Sequence, residues 1–316
     1  MTMSLPIGVF LDDEPLDAPW IRGCRRGAAP GPVLQVRRVD DATFILRESM
    51  RATWEAPFVY LLLGARRALL LDTGDVAEAE RMPLGATVGS IVGDWVAAHR
   101  LSDYELVVAH THGHNDHTRG DAQFIGDSPA YPYRATVVGT AVEKVREFFG
   151  FDAPDSATLD SVVPFDLGDR ELSVTRVPGH DVRSIAVIDP SRGLMFSGDT
   201  AYPGRLYVQD LTALRDSLDR MLALAHRHHL RSVLGGHIEY SADGGEHPVG
   251  VRFHADEQPL PLTVAQLQQL RDLAHRGSTV TGVVAGSPMS LWIGSCNGAK
   301  VKLAGAAAVR RLRGIG

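Results

Sequence analysis

Residues 111–117 read Thr-His-Gly-His-Asn-Asp-His, and four of the seven carry side chains that bind metal ions: His112, His114, Asp116 and His117. Imidazole and carboxylate suit zinc and similar ions. Alternate residues of a chain leaving a strand share a direction. His112 and His114 can therefore aim at one point, and Asp116 with His117 can turn toward a second point nearby. Gly113 and Gly120 let this backbone fold tightly. One ion would not need so many ligands from one loop; two ions would. Further ligands must come from elsewhere, and three candidates lie beside glycine: His180 in Pro178-Gly179-His180-Asp181, Asp199 in Ser197-Gly198-Asp199-Thr200, and His237 in Gly235-Gly236-His237.

Each candidate follows a short apolar run of strand type. Runs at 42–46, 57–63, 67–72 and 105–109 precede the histidine-rich segment, with 64–66 as a turn. Further runs at 135–138, 161–165, 171–177, 184–188, 193–196 and 231–234 follow it. Between them, Val88, Ile91, Trp95 and Val96 recur at helical spacing, as do Leu211, Leu214, Leu218 and Leu222 in a longer helix over 209–229. A helix spans about 140–149. Thr263 is a good N-cap for a last helix that turns Val264, Leu267 and Leu270 inward. Two successive blocks of strands and helices predict two mixed sheets packed face to face with helices outside. The ligands then gather at strand ends on one rim. The expected organisation is an irregular arm over 1–31, one domain over 32–285, and a terminal strand and tail of that domain over 286–316.

At these residues the chain resembles the metallo-β-lactamase superfamily. The match is H-x-H-x-D-H, then G-H, G-D and G-H in that order, with Leu71-Asp72-Thr73-Gly74 upstream. It covers roughly residues 40–240, and the combined pattern is far more specific than any one piece. The resemblance implies an α/β fold, the four-layer αβ/βα sandwich. It implies His112, His114 and His180 on one metal and Asp116, His117 and His237 on a second. Asp199 bridges the two, and Asp72 orients a ligand histidine. Asp199 is present and the second site has no cysteine, a pattern similar to glyoxalase II and lactonase members. Two ions, zinc by default and iron or manganese otherwise, would activate a water and polarise the scissile group. Asp116 would orient the water and take its proton. Tyr202 and Tyr207, soon after Asp199, are candidates for an added oxyanion donor.

The expected reaction is hydrolysis of an ester-type bond: thioester, lactone or a similar acyl substrate. A small-molecule phosphodiesterase, an iron-dependent sulfur dioxygenase and a non-enzymatic metal-binding module are the alternatives. The net charge of −6, and only three lysines, do not suit a nucleic-acid backbone. The partner expected is a small molecule, with a homodimer the commonest assembly among soluble oligomers. No apolar run reaches the ~18–20 residues needed to span a bilayer. The first residues lack a basic segment followed by a long apolar stretch, so a cytoplasmic location is expected. Cys24 and Cys296 share no ligand spacing and read as free thiols. Other histidines read as structural: His110 as packing or as a support behind a ligand, and His226, His228 and His229 as late-helix residues facing its dipole. His247, His254 and Glu257 read as a surface loop.

Overall fold

A computed structural model describes residues 4–25, 27–126, 133–151, 162–277 and 281–294. Cys296 and the basic end of the chain lie outside them. The first sheet has seven strands in sequential order: β1 (Val9–Asp12), β2 (Leu34–Asp40), β3 (Thr43–Glu48), β4 (Phe58–Leu63), β5 (Arg67–Leu71), β6 (Tyr104–Ala109) and β7 (Tyr133–Val137). Strands β2 to β5 are antiparallel, whereas β5, β6 and β7 run parallel. Parallel neighbours need a crossover. Helix α1 (Leu84–His99) supplies the one between β5 and β6, and a short helix α2 (Asn115–Thr118) follows β6.

Helix α3 (Val142–Phe149) leads to the second sheet, which contains β8 (Val162–Asp166), β9 (Glu171–Arg176), β10 (Ile185–Asp189) and β11 (Leu194–Gly198). After β12 (Arg205–Val208) and helix α4 (Leu211–Arg227), the chain returns to that sheet as β13 (Ser232–Gly235) and β14 (Pro261–Leu262). The order is β14-β13-β11-β10-β9-β8, with β11 and β13 parallel. Helix α5 (Val264–Arg276) precedes β15 (Gly282–Val284) and β16 (Ser290–Ile293), which join β12 in a small third sheet.

Period-two alternation sorts the strand side chains into layers. Leu69, Leu71, Val107 and Ala109 face Val174, Ile185, Val187 and Phe196 of the second sheet. Their neighbours Leu70, Leu106 and Val108 pack on Val88, Ile91 and Val92 of α1. On the far side Ala186, Ile188, Met195 and Val233 meet Leu214, Leu218 and Met221 of α4, and Leu267 and Leu270 of α5. This is the four-layer αβ/βα sandwich. Asp210 caps α4 through Ala213 N at 3.0 Å, and Thr263 caps α5 in a reciprocal box with Gln266.

The arm over 1–31 is not wholly irregular. It carries β1, which extends the first sheet in parallel beside β2. The cause is Arg37, fully buried on β2. Its guanidinium pairs with Asp12 at 2.7 Å, donates to the carbonyls of Pro15, Ala18 and Pro19, and stacks on Trp20. A buried cation must be paired and hydrogen-bonded, and the arm supplies those partners.

The loop after residue 237 also departs from expectation. His254 is buried and the Glu257 side chain is 4% exposed, so neither is a surface residue. Glu257 accepts two hydrogen bonds from buried Arg47 of β3, at 2.5 and 2.7 Å, and lies 2.7 Å from His254 Nδ1. Burial raises the Glu257 carboxyl, but Arg47 and then His254 outweigh it and hold it below its usual value. A depressed folded-state value contributes stability that is full above the unfolded value and is lost as pH falls through the folded one. Glu257→Gln is therefore expected to lower stability by about 3–5 kcal/mol at pH 7 by stranding Arg47. It should also narrow the gap between urea midpoints at pH 7 and pH 4. An unchanged gap would remove Glu257 from the acid response.

Candidate metal centre

The site stands where β5, β6, β11 and β13 end, all four at one rim of the sandwich. Asp72 follows β5 with φ of 71° and Gly198 closes β11 with φ of 50°. Both turn the chain sharply out of the sheet. The backbone ties the rim together: Asp72 N donates to Ala109 O, Ile185 N to Thr111 O, and Gly236 N to Gly198 O. A Cβ on Gly236 would strike Asp199 Oδ1 and crowd His117, so a larger residue here would displace both side chains.

Two clusters form there: His112, His114 and His180 in one, and Asp116, His117, Asp199 and His237 in the other. In the first, His114 Nδ1 lies 2.9 Å from His112 Nε2 and 3.0 Å from His180 Nε2, and the last two are 3.2 Å apart. In the second, His117 Nε2 and His237 Nε2 are 3.3 Å apart, and Asp116 Oδ2 is 3.6 and 3.3 Å from them. Asp199 lies between the clusters. Its Oδ1 is 3.4 Å from His117 and 3.5 Å from His237, while its Oδ2 is 3.9 Å from His112 and 3.7 Å from His180.

The outer nitrogens define the chemistry of the inner ones. His180 Nδ1 donates to Tyr207 O at 2.7 Å and His237 Nδ1 to Glu55 O at 2.9 Å. His117 Nδ1 is 2.9 Å from Asp72 Oδ2. The Thr111 hydroxyl donates to Asp72, so its oxygen accepts from His112 Nδ1 at 3.1 Å. With the outer nitrogen protonated, a neutral ring offers a bare lone pair inward. Lone pairs about 3 Å apart repel unless a cation lies between them. A tetrahedral zinc with bonds of about 2.0–2.1 Å needs ligand nitrogens about 3.3 Å apart, close to the spacing here. Asp199 Oδ1 is buried without a hydrogen-bond partner. These residues fit a pair of metal ions, and outer partners of this kind fix the tautomers such ions require.

The electrostatics differ between the two clusters. Burial, then the charge of His117, hold His112 well below the usual histidine value, and His180 is lowered chiefly by burial. Burial would also lower His117 and His237, but carboxylates led by Asp199 prevail, raising His117 well above its usual value and His237 to about 10. Burial alone would raise Asp199, yet His237, His117 and His112 hold it well below its usual range. The second cluster is thus built to gather positive charge.

A family model described as Metallo-beta-lactamase superfamily matches residues 52–237, more than half of the chain. The chain belongs to that superfamily. It is similar to Acyl-coenzyme A thioesterase MBLAC2 of Bos taurus, at 25% identity over 227 residues, covering 64% of this chain and 80% of the relative. It is also similar to a hydroxyacylglutathione hydrolase of Shewanella baltica (strain OS223), at 33% over 138 residues, covering 43% of this chain and 49% of that one. A solved metallo-beta-lactamase from Pontibacter korlensis covers 77% of this chain and 100% of its own, at 16% identity and a TM-score of 0.46. Superfamily membership places the protein among metal-binding hydrolases. Among the described residues, no helix is long and apolar enough to cross a membrane.

All seven predicted ligand residues meet at this rim, and Asp72 holds His117 and Thr111. His110 packs as expected, with Nδ1 against His117 O and Nε2 beside Asp121. Tyr202 differs from expectation. The Tyr202 hydroxyl donates to Arg205 O at 2.6 Å and lies 3.2 Å from Glu239, so burial has committed it away from the clusters. Tyr207 serves through its carbonyl on His180; burial and Glu239 push its hydroxyl up to about 12. Sequence reasoning missed Thr111, the Glu55 carbonyl and Asp181. Carbonyl partners leave no side-chain signature, whereas Asp181 stood beside His180 in the motif.

Proposed function

We propose that the chain is a dinuclear, zinc-dependent thioester hydrolase. The single observation that carries the dinuclear reading is Asp199, whose two oxygens face two separate histidine clusters. The thioester reading is supported by the relatives, one named an acyl-coenzyme A thioesterase and another a hydroxyacylglutathione hydrolase. His112, His114 and His180 would hold one ion, Asp116, His117 and His237 the other, and Asp199 both. Two ions, when bound, supply Lewis acidity to the substrate carbonyl and bring a water's pKa toward neutrality.

The protein supplies orientation and proton transfer. His114 and Asp116 are the exposed members, with side chains 37% and 21% accessible, so substrate approaches across them. Asp116 reaches both the second cluster and solvent, which lets its carboxylate hold the attacking water and accept its proton. Its own value is lowered, because His117 and His237 outweigh burial, so it stands ionised at neutral pH. The proposed substrate is a small molecule, the proposed location the cytoplasm, and no nucleic acid is involved.

The test is thiol release from acyl-coenzyme A and acyl-glutathione thioesters by zinc-loaded protein, beside lactone and phosphodiester panels. Turnover of a thioester that stops on chelation and returns with zinc is expected. Activity confined to phosphodiesters, or one iron per chain with oxygen uptake, would overturn the reading.

A further inference from the structure

His114 differs from the other four clustered histidines. They turn Nε2 inward and fix Nδ1 on a protein oxygen within 3.1 Å. His114 turns Nδ1 inward and is the most exposed of the metal-centre side chains. Its outer Nε2 faces Asp181, whose Oδ2 lies 3.6 Å away. Asp181 is buried and locked in place. Oδ1 accepts from Arg183 N at 2.7 Å and Arg183 Nε at 2.8 Å, and Oδ2 accepts from Arg183 Nη2 at 2.6 Å. The guanidinium in turn sits against the loop that carries His114: a Cβ on Gly113 would collide with its Nη1 and Cζ. Gly113 thus makes room for the fork as well as for the turn.

We propose that Asp181, locked by Arg183, is the positioning residue for His114. Without it, an exposed imidazole can rotate about its side chain, and ordering it costs free energy on each binding event. An oriented carboxylate removes that cost and favours the Nε2–H tautomer that leaves Nδ1 free. The chain His114–Asp181–Arg183 also joins the loop after β6 to the loop before β10, so both arms of the triad are set together. The inference rests on the reading of His112, His114 and His180 as a metal site, and not on the substrate.

The experiment is a zinc titration against a chromophoric chelator, with the visible spectrum of the cobalt-loaded protein as a report on ligand geometry. Asp181→Ala is expected to weaken one of two ions about 10–100-fold and to shift the cobalt bands. Arg183→Lys keeps every charge but lacks the planar fork. Its expected loss of several-fold, with a smaller spectral shift, reports orientation and not charge, and it decides the matter should Asp181→Ala fail to fold. Variants that keep the parent's affinities and cobalt spectrum would overturn the role of Asp181 alone. A parent protein that binds neither zinc nor cobalt would overturn the metal site beneath it.

Discussion

Asp199→Ala is expected to lose metal from both clusters at once and to abolish turnover. Its oxygens lie 3.4 to 3.9 Å from four histidine nitrogens, two in each cluster. Removing it leaves the second cluster with Asp116 as its sole anion, and leaves the triad with none. Loss of an orienting partner outside a metal's ligands costs about 10–100-fold in affinity or activity, and loss of a shared ligand should exceed that. The fold should survive, because Asp199 Oδ1 makes no protein hydrogen bond that the alanine would strand. The check is elemental analysis with a urea midpoint on the same sample. Two ions per chain in Asp199→Ala would end the bridging assignment.

Asp116→Asn is expected to behave differently. The amide keeps the shape and one oxygen, but it cannot take a proton and carries no charge. Proton transfer by a positioned side chain is worth about 10²–10⁴-fold, and kcat should fall within that range. The side chain is partly exposed, so the stability cost should be small. The triad, which does not include Asp116, should keep its ion. A variant with the parent's kcat on a thioester would remove Asp116 from proton transfer, whatever its metal content.

Much of this was legible in the sequence because it depends on local rules. Unbroken apolar runs at 68–71 and 106–109 show two-sided burial, and the glycine-flanked His180, Asp199 and His237 mark strand ends. Strand β2 was not legible: its Leu-Gln-Val-Arg-Arg-Val-Asp breaks the apolar pattern, and only the distant Asp12 and Trp20 explain why Arg37 is buried. The same holds for His254 and Glu257, whose burial depends on Arg47 some two hundred residues away. Tyr202 looked catalytic from proximity in sequence, but the Arg205 carbonyl and Glu239 take up its hydroxyl. Long-range pairing of buried charge leaves little trace in a linear pattern.

The rim placement has a mechanical consequence. Each cluster takes residues from both halves of the sandwich: His112 and His114 follow β6 while His180 precedes β10, and Asp116 and His117 lie on α2 while His237 follows β13. An ion held there is a rivet through the two sheets, and the free energy of its binding is also free energy of keeping them docked. Anything that binds only the folded state stabilises it by RT ln(1 + [L]/Kd). The melting temperature of this protein is therefore expected to rise with free metal concentration, and chelation to act on the seam between the sheets before it acts on either sheet.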